Sequence, residues 1–231
     1  MKVAIITGAS RGLGLALARE LASRRWALVL DARSPEALSV AEAELSPLTT
    51  VVAVAGNISD PHHRAELVRR AEALGGIDAL VNNASHLGPS PQPQLSDYPL
   101  SELRRVYEVN TVAPLALVQE ARHTLREGAR IVNITSDAAV EAYEGWGGYG
   151  SSKAALEQLT AVLAAEHPEW RVYRVDPGDM RTQMHQEAFP GEDISDRPLP
   201  DVAVPGLVEL LEGDRPSGRY QAQAMKEVVP V

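Results

Sequence analysis

Short apolar runs alternate with amphipathic stretches along most of this chain. Val3–Thr7, Ala27–Asp31, Thr50–Ala55, Ala79–Asn82, Arg130–Thr135 and Arg171–Val175 are apolar for most of their length, as strands covered on both faces are. Between them, Leu13–Ala22, Pro35–Leu45, Pro61–Leu74, Leu103–Val112, Pro114–Arg126 and Lys153–His167 carry apolar residues three and four apart, the spacing of one helix face. Regular strand–helix alternation predicts an α/β fold in a single domain over residues 1–231. Its sheet is expected to be parallel and doubly wound, with helices on both faces and ligands at the carboxyl ends of the strands. Two stretches break the rhythm. Ser85–Pro99, rich in Pro, Ser and Gln, reads as a loop over the strand ends. Gly178–Pro200, with Phe189-Pro190-Gly191 and Pro198-Leu199-Pro200, reads as an irregular lid at the same edge. Pro205–Leu211 and Gly218–Gln223 add one helix and one last strand.

Composition narrows the classes of function. A chain of 231 residues, 45% hydrophobic, can bury a full core, which excludes disorder and a disulfide-stapled miniature. The net charge of −9 argues against nucleic acid and anionic membranes as partners. The absence of cysteine removes disulfides, thiolate metal sites and cysteine nucleophiles, and fits a cytoplasmic location. No apolar run approaches the roughly 20 residues of a membrane span, and Met1–Thr7 turns polar too soon for a signal peptide. His62 and His63 follow Asp60-Pro61 at a helix start, where solvated side chains are expected. The remaining histidines, His86, His123, His167 and His185, share no ligand spacing, so no metal site is expected. Of 22 basic residues only three are lysines, at Lys2, Lys153 and Lys226.

Two local patterns carry chemistry. Thr7-Gly8-Ala9-Ser10-Arg11-Gly12-Leu13-Gly14 joins the first strand to the first helix. Glycines there let the backbone approach a pyrophosphate while the helix N-terminus offers free N–H groups. The loop lacks the Gly-Lys-Ser/Thr ending of a nucleoside triphosphate site. The second pattern is Tyr149 and Lys153, four apart on one helix face. An ammonium nearby favours phenolate and so equips a tyrosine for proton transfer near neutral pH. A chain that otherwise prefers arginine keeps lysine here. Ser136, just beyond a strand and 13 residues before Tyr149, is placed to hydrogen-bond a substrate oxygen as charge develops on it. Asn110 stands inside a helical pattern to which it is poorly suited.

Together with Asn82-Asn83-Ala84, Tyr149-Gly150-Ser151-Ser152-Lys153 and Pro177-Gly178, these residues follow an order and spacing over residues 1–185 that resembles the short-chain dehydrogenase/reductase family. The resemblance implies a Rossmann-type fold and a catalytic set of Asn110, Ser136, Tyr149 and Lys153. It further implies that Asn110 disturbs its helix and holds a water linking the lysine to solvent. Cofactor contacts are implied for Gly8, Ser10, Arg11, Gly12, Leu13, Gly14, Arg33, Asn57, Ile58, Asn83, Ala84, Tyr149, Lys153, Pro177, Gly178 and Thr182, the last three near the carboxamide. Two departures stand out: Ser85 where the family usually has glycine, and Asn57-Ile58 where Asp-Val is common.

Cofactor and substrate follow from the same comparison. Asp31-Ala32-Arg33 ends the second strand. An acid there binds a ribose diol and an arginine binds a 2′-phosphate. By family register the acid's position is Ala32 and the arginine's is Arg33, with Arg11 a second basic position. NADP(H) is therefore expected, with NAD(H) the alternative. Asn133-Ile134-Thr135-Ser136, Glu108-Val109-Asn110 followed by Ala113-Pro114, and Tyr143-x-Gly145-Trp146 resemble the sepiapterin/benzil reductase branch. That branch implies carbonyl reduction of a ketone or dicarbonyl, with Tyr143 and Trp146 near the substrate. Phe189, the only phenylalanine, is either an apolar anchor over the substrate or a hinge residue. Alternatives are an NAD-dependent alcohol dehydrogenase and a non-catalytic dinucleotide-binding regulator of the same fold. The family also implies a homodimer or homotetramer formed through the helices around Pro114–Arg126 and Lys153–His167.

Overall fold

Alternate residues of each inner strand feed two separate cores. In the computed structural model, which describes residues 1–225, seven strands form one sheet: β1 (Val3–Ile6), β2 (Ala27–Ala32), β3 (Val51–Ala55), β4 (Ile77–Asn82), β5 (Leu125–Ile134), β6 (Arg171–Asp176) and β7 (Gly218–Gln221). Lys226 and the valine-rich end lie outside the described residues. Ala4, Ile6, Leu28 and Leu30 pack on one face under α1 (Gly12–Ser23), α2 (Pro35–Leu45) and α8 (Val204–Glu212). Val3, Ile5, Ala27 and Val29 pack on the other, under α3 (Pro61–Ala73) and α5 (Ala113–Ala121). A strand side chain changes face at every residue, so a strand covered twice must be apolar throughout.

The strand order is β3-β2-β1-β4-β5-β6-β7 and every pairing is parallel. This is the expected Rossmann-type, doubly wound sheet. The order reverses between β1 and β4, which opens a crevice at their carboxyl ends. Helix starts are chemically marked. Ser34 and Asp60 accept from Ala37 N and His62 N, and Pro35 and Pro61 take the first helical positions, where a missing N–H costs nothing.

Five elements differ from the sequence expectation. The single helix expected over Leu103–Val112 is α4 (Leu100–Tyr107) followed by a wide π turn, Glu108–Val112, that runs straight into α5. The helix expected to reach Arg126 stops at Ala121. β5 starts early, at Leu125, because Gly128 adopts φ +72° and the Arg126 guanidinium pairs with Asp78 at 2.9 Å. β4 likewise begins at Ile77, directly after Gly75-Gly76, both at positive φ. The Gly178–Pro200 stretch is partly regular, with α7 (Gln183–Ala188) capped by Thr182, whose hydroxyl accepts from His185 N. Arg181 N also donates to Pro198 O at 2.7 Å, closing the stretch on itself.

Candidate active site

The catalytic candidates gather where β4 and β5 meet α6 (Gly147–Glu166). Lys153 and Tyr149 lie one turn apart on the buried face of α6. The lysine Nζ donates to Ile134 O, the last residue of β5, at 2.8 Å and lies 5.5 Å from the centre of the tyrosine ring. Burial pulls the Lys153 ammonium down to about 7. Burial also pushes the Tyr149 phenol up to about 12; the Ser85 hydroxyl opposes this, while the charges of Asp137 and Asp176 add to it. At neutral pH the tyrosine therefore holds its proton.

Ser136 follows β5 and is half-buried. Its hydroxyl donates to Asp137 Oδ1 at 2.8 Å and accepts from Ala138 N at 3.2 Å. Asn110 sits fully buried inside the π turn. Its Oδ1 accepts from His86 N (2.7 Å) and Ser85 Oγ (3.2 Å), while its Nδ2 donates to His86 O (2.9 Å) and Ser152 Oγ (3.0 Å). Ser152 Oγ donates in turn to Tyr149 O at 2.6 Å. The widened turn thus lets one amide clamp the chain after β4 to the helix that carries Tyr149 and Lys153.

The glycine loop has a backbone that could hold a nucleotide. Gly8 and Gly12 take φ +65° and +56°, and a Cβ on Gly14 would lie 2.4 Å from Gly8 O. Only glycine tolerates that approach. Asn83 Nδ2 donates to Thr7 O and Gly8 O, and Thr7 Oγ1 accepts from the N–H groups of Asn83 and Ala84. Leu13 is buried in the core and Ser10 half-buried above it. Arg33 is exposed at the end of β2; Asn57 is exposed too, with Ile58 buried beside it. Arg11 reaches across the crevice, its guanidinium donating to Gln183 Oε1 in α7. Pro177 is buried and Gly178 exposed at φ +73°. Gln223 Nε2 donates to both Pro177 O and Asp179 O. The cradle, two basic side chains at its rim and the buried lysine are a donor set suited to a phosphorylated dinucleotide.

An apolar roof covers Tyr149. Leu87, Ala138, Trp146, Met184 and Ala188 pack around it. The Trp146 ring stands edge-on to Tyr149 at 5.7 Å, and Phe189 lies 5.8 Å from Trp146. An open groove of about 660 Å³ runs along Val140–Gly147 and the start of α6, but neither Ser136 nor Tyr149 lines it. Tyr143 belongs to that groove, with its hydroxyl shared between Asp137 and Glu141.

A family model for short chain dehydrogenases matches residues 2–193. The chain belongs to that family. This short-chain dehydrogenase is 34% identical to sepiapterin reductase of Bos taurus over 200 residues, 80% of this chain and 74% of the relative. A short chain dehydrogenase structure from Pseudomonas syringae superposes with TM-score 0.90 at 29% identity, covering 96% of this chain and 94% of the other. An alcohol dehydrogenase from Thermococcus sibiricus, solved with 5-hydroxy-NADP, gives TM-score 0.86 at 30% identity and covers 99% and 97%. As a family member the protein is an NAD(P)-dependent oxidoreductase.

One expectation for the dehydrogenase is corrected. His63 is not solvated: it is 8% exposed and bonds Asp31 Oδ1 through Nε2 at 2.6 Å. Leaving a buried hydrogen-bonding group without its partner costs about 1–3 kcal/mol, more where the group is charged. A second polar group also escaped the sequence reading. Arg219 of β7 pairs with buried Glu157 of α6 at 2.9 Å, approaches Asp176 at 3.8 Å and donates to Ser136 O. A lone acid on the apolar face of α6 was the available signal. Among the described residues no group of three or more His, Asp or Glu side chains could hold a metal, and no helix is long and apolar enough to cross a membrane.

Proposed function

We propose that this dehydrogenase is an NADP(H)-dependent carbonyl reductase acting on a ketone or dicarbonyl, the alcohol being oxidised in reverse. The observation that carries the reading is Lys153 set behind Tyr149 below an apolar aromatic roof, its Nζ bonded to Ile134 O two residues before Ser136, beside a cradle rimmed by Arg11 and Arg33. A bound nicotinamide supplies or accepts the hydride. Everything else falls to the chain. Tyr149, protonated at neutral pH, gives its proton to the substrate oxygen. Ser136 turns its hydroxyl from Asp137 to that oxygen, which gathers negative charge in the transition state. The Lys153 ammonium steadies the phenolate left behind and offers its remaining protons to ribose hydroxyls. Asn110 keeps the segment after β4 registered against α6 and its opened turn holds the water of the proton path.

Gly8, Ser10, Gly12, Leu13 and Gly14 bind the pyrophosphate. Arg11 and Arg33 take the 2′-phosphate, Asn57 and Ile58 flank the adenine, and Asn83 and Ala84 brace the adenosine side. Pro177, Gly178 and Thr182 meet the carboxamide. Residues 178–200 form the lid: α7 bonds Arg11 through Gln183, and Ser90 Oγ donates to Glu187 O. Trp146, Phe189, Leu87 and Met184 favour a flat, apolar carbonyl compound, and the relative named sepiapterin reductase supports a reductase. The working form is a homodimer or homotetramer joined through α5 and α6, where Leu159 and Val162 are exposed. The test is NADPH consumption with a panel of aromatic ketones and diketones. Turnover with at least one of them is expected; cofactor binding without any turnover would favour a regulator.

A further inference from the structure

The buried pair between β2 and α3 takes no part in the chemistry above. Asp31 is the only acid of β2 and stands one residue before Ala32, where the family register places a ribose-binding acid, yet its side chain is only 3% exposed. Both oxygens are occupied. Oδ1 accepts from His63 Nε2 at 2.6 Å and Oδ2 accepts from Gly8 N, the first amide of the glycine loop, at 3.3 Å. A carboxylate can only accept, so the imidazole must present Nε2–H to it. The imidazole has a prepared place: a Cβ on Gly56, just past β3, would lie 2.3 Å from His63 Nδ1. Asp31 O also accepts from Ala9 N at 2.8 Å, which fixes the backbone at this corner. Arg33, two residues on, is exposed.

We propose that His63 is a cofactor-specificity residue: by holding the Asp31 carboxylate inward it lets the end of β2 accept a 2′-phosphate in place of a bare ribose diol. The inference rests on the NADP(H) reading and adds to it. An acid free to turn outward at this corner accepts from the two ribose hydroxyls and repels a phosphate. With its oxygens spent on His63 and Gly8, Asp31 is held away from the ribose hydroxyls, and Arg33 is the charged side chain exposed at this corner. Arginine alone at the rim is then only half of the selectivity. The other half is the imidazole that withdraws the competing acid.

The test is equilibrium binding of NADPH and of NADH, followed by cofactor fluorescence. It uses the full chain as wild type, His63→Ala, His63→Asn, His63→Gln, and Asp31→Ala with and without His63→Ala. Wild type is expected to bind NADPH more tightly than NADH. His63→Ala and His63→Asn, which cannot reach the carboxylate, should lower the NADPH-to-NADH affinity ratio by about tenfold, or roughly 1.4 kcal/mol. His63→Gln keeps an N–H donor and should retain most of the ratio. Asp31→Ala and the double variant should lie within about threefold of wild type, because no acid remains to be released. The double variant lacks the buried charge, so it stays informative where a single replacement unfolds. An unchanged ratio in folded His63→Ala and His63→Asn, or an equal fall in the double variant, would overturn the role of His63. Wild type preferring NADH would instead overturn the NADP(H) reading.

Discussion

The Nζ of Lys153 lies 5.5 Å from the centre of the Tyr149 ring and is tied to the end of β5 through Ile134 O. The charge therefore faces the phenol from a fixed point of the sheet. If Tyr149 is the proton donor, Tyr149→Phe should lower kcat for carbonyl reduction by about a hundredfold to ten-thousandfold. NADPH affinity by fluorescence titration should change by less than about threefold, since the ring and its packing remain.

Lys153 should also shape the stability of the cofactor-free protein. Its folded value of about 7 lies below the usual 10.5, so between those values the unfolded chain binds more protons. Stability contributed by this group is thus present above the unfolded value and lost as pH falls through the folded one. Lys153→Met removes the penalty, and calorimetry at pH 6 should show its Tm above wild type by about 2–4 °C for each kcal/mol released. The gap should narrow toward pH 10. A gap that widens with pH would contradict the buried ammonium.

Ser85 replaces the glycine common in the family, and its hydroxyl lowers the phenol of Tyr149 against the effect of burial. Alcohol oxidation needs phenolate. Ser85→Ala should therefore shift the rising limb of the kcat profile for oxidation to higher pH. Reduction at neutral pH should hardly change.

Arg33 and Arg11 make separable predictions. Arg33 is exposed at the rim, and Arg33→Ala should weaken NADPH about tenfold or more while sparing NADH. Arg11 also bonds Gln183 of α7. Arg11→Ala should therefore weaken NADPH and, in addition, raise hydrogen exchange across residues 183–188, a change that Arg33→Ala should not produce.

The sheet was legible because a doubly covered strand must be apolar at every residue, a local property. The glycine loop was legible for the same reason: Gly8, Gly12 and Gly14 answer to backbone geometry within seven residues. Tyr149, Lys153 and Ser136 stand out by type and spacing; the structure sets Lys153 Nζ 5.5 Å from the Tyr149 ring centre and bonds it to Ile134 O, two residues before Ser136. Asn110 was singled out for its poor helix propensity, and it sits in the π turn. The burial of His63 was not legible. It depends on the space left by Gly56 and on the carboxylate of Asp31, 32 residues away in the chain. The Arg219–Glu157 pair spans 62 residues and was hidden for the same reason. Helix α7 escaped notice because six residues are too few for a periodic signal.

The central claim is hydride transfer to a carbonyl carbon with Tyr149 supplying the proton. NADPH deuterated at the transferable nicotinamide position, mixed with a reducible diketone, tests it most directly. Mass spectrometry should find one deuterium on the carbinol carbon of the product with wild type, and no product above background with Tyr149→Phe. Product formed without the label, or labelled product at the wild-type rate from Tyr149→Phe, would contradict the account.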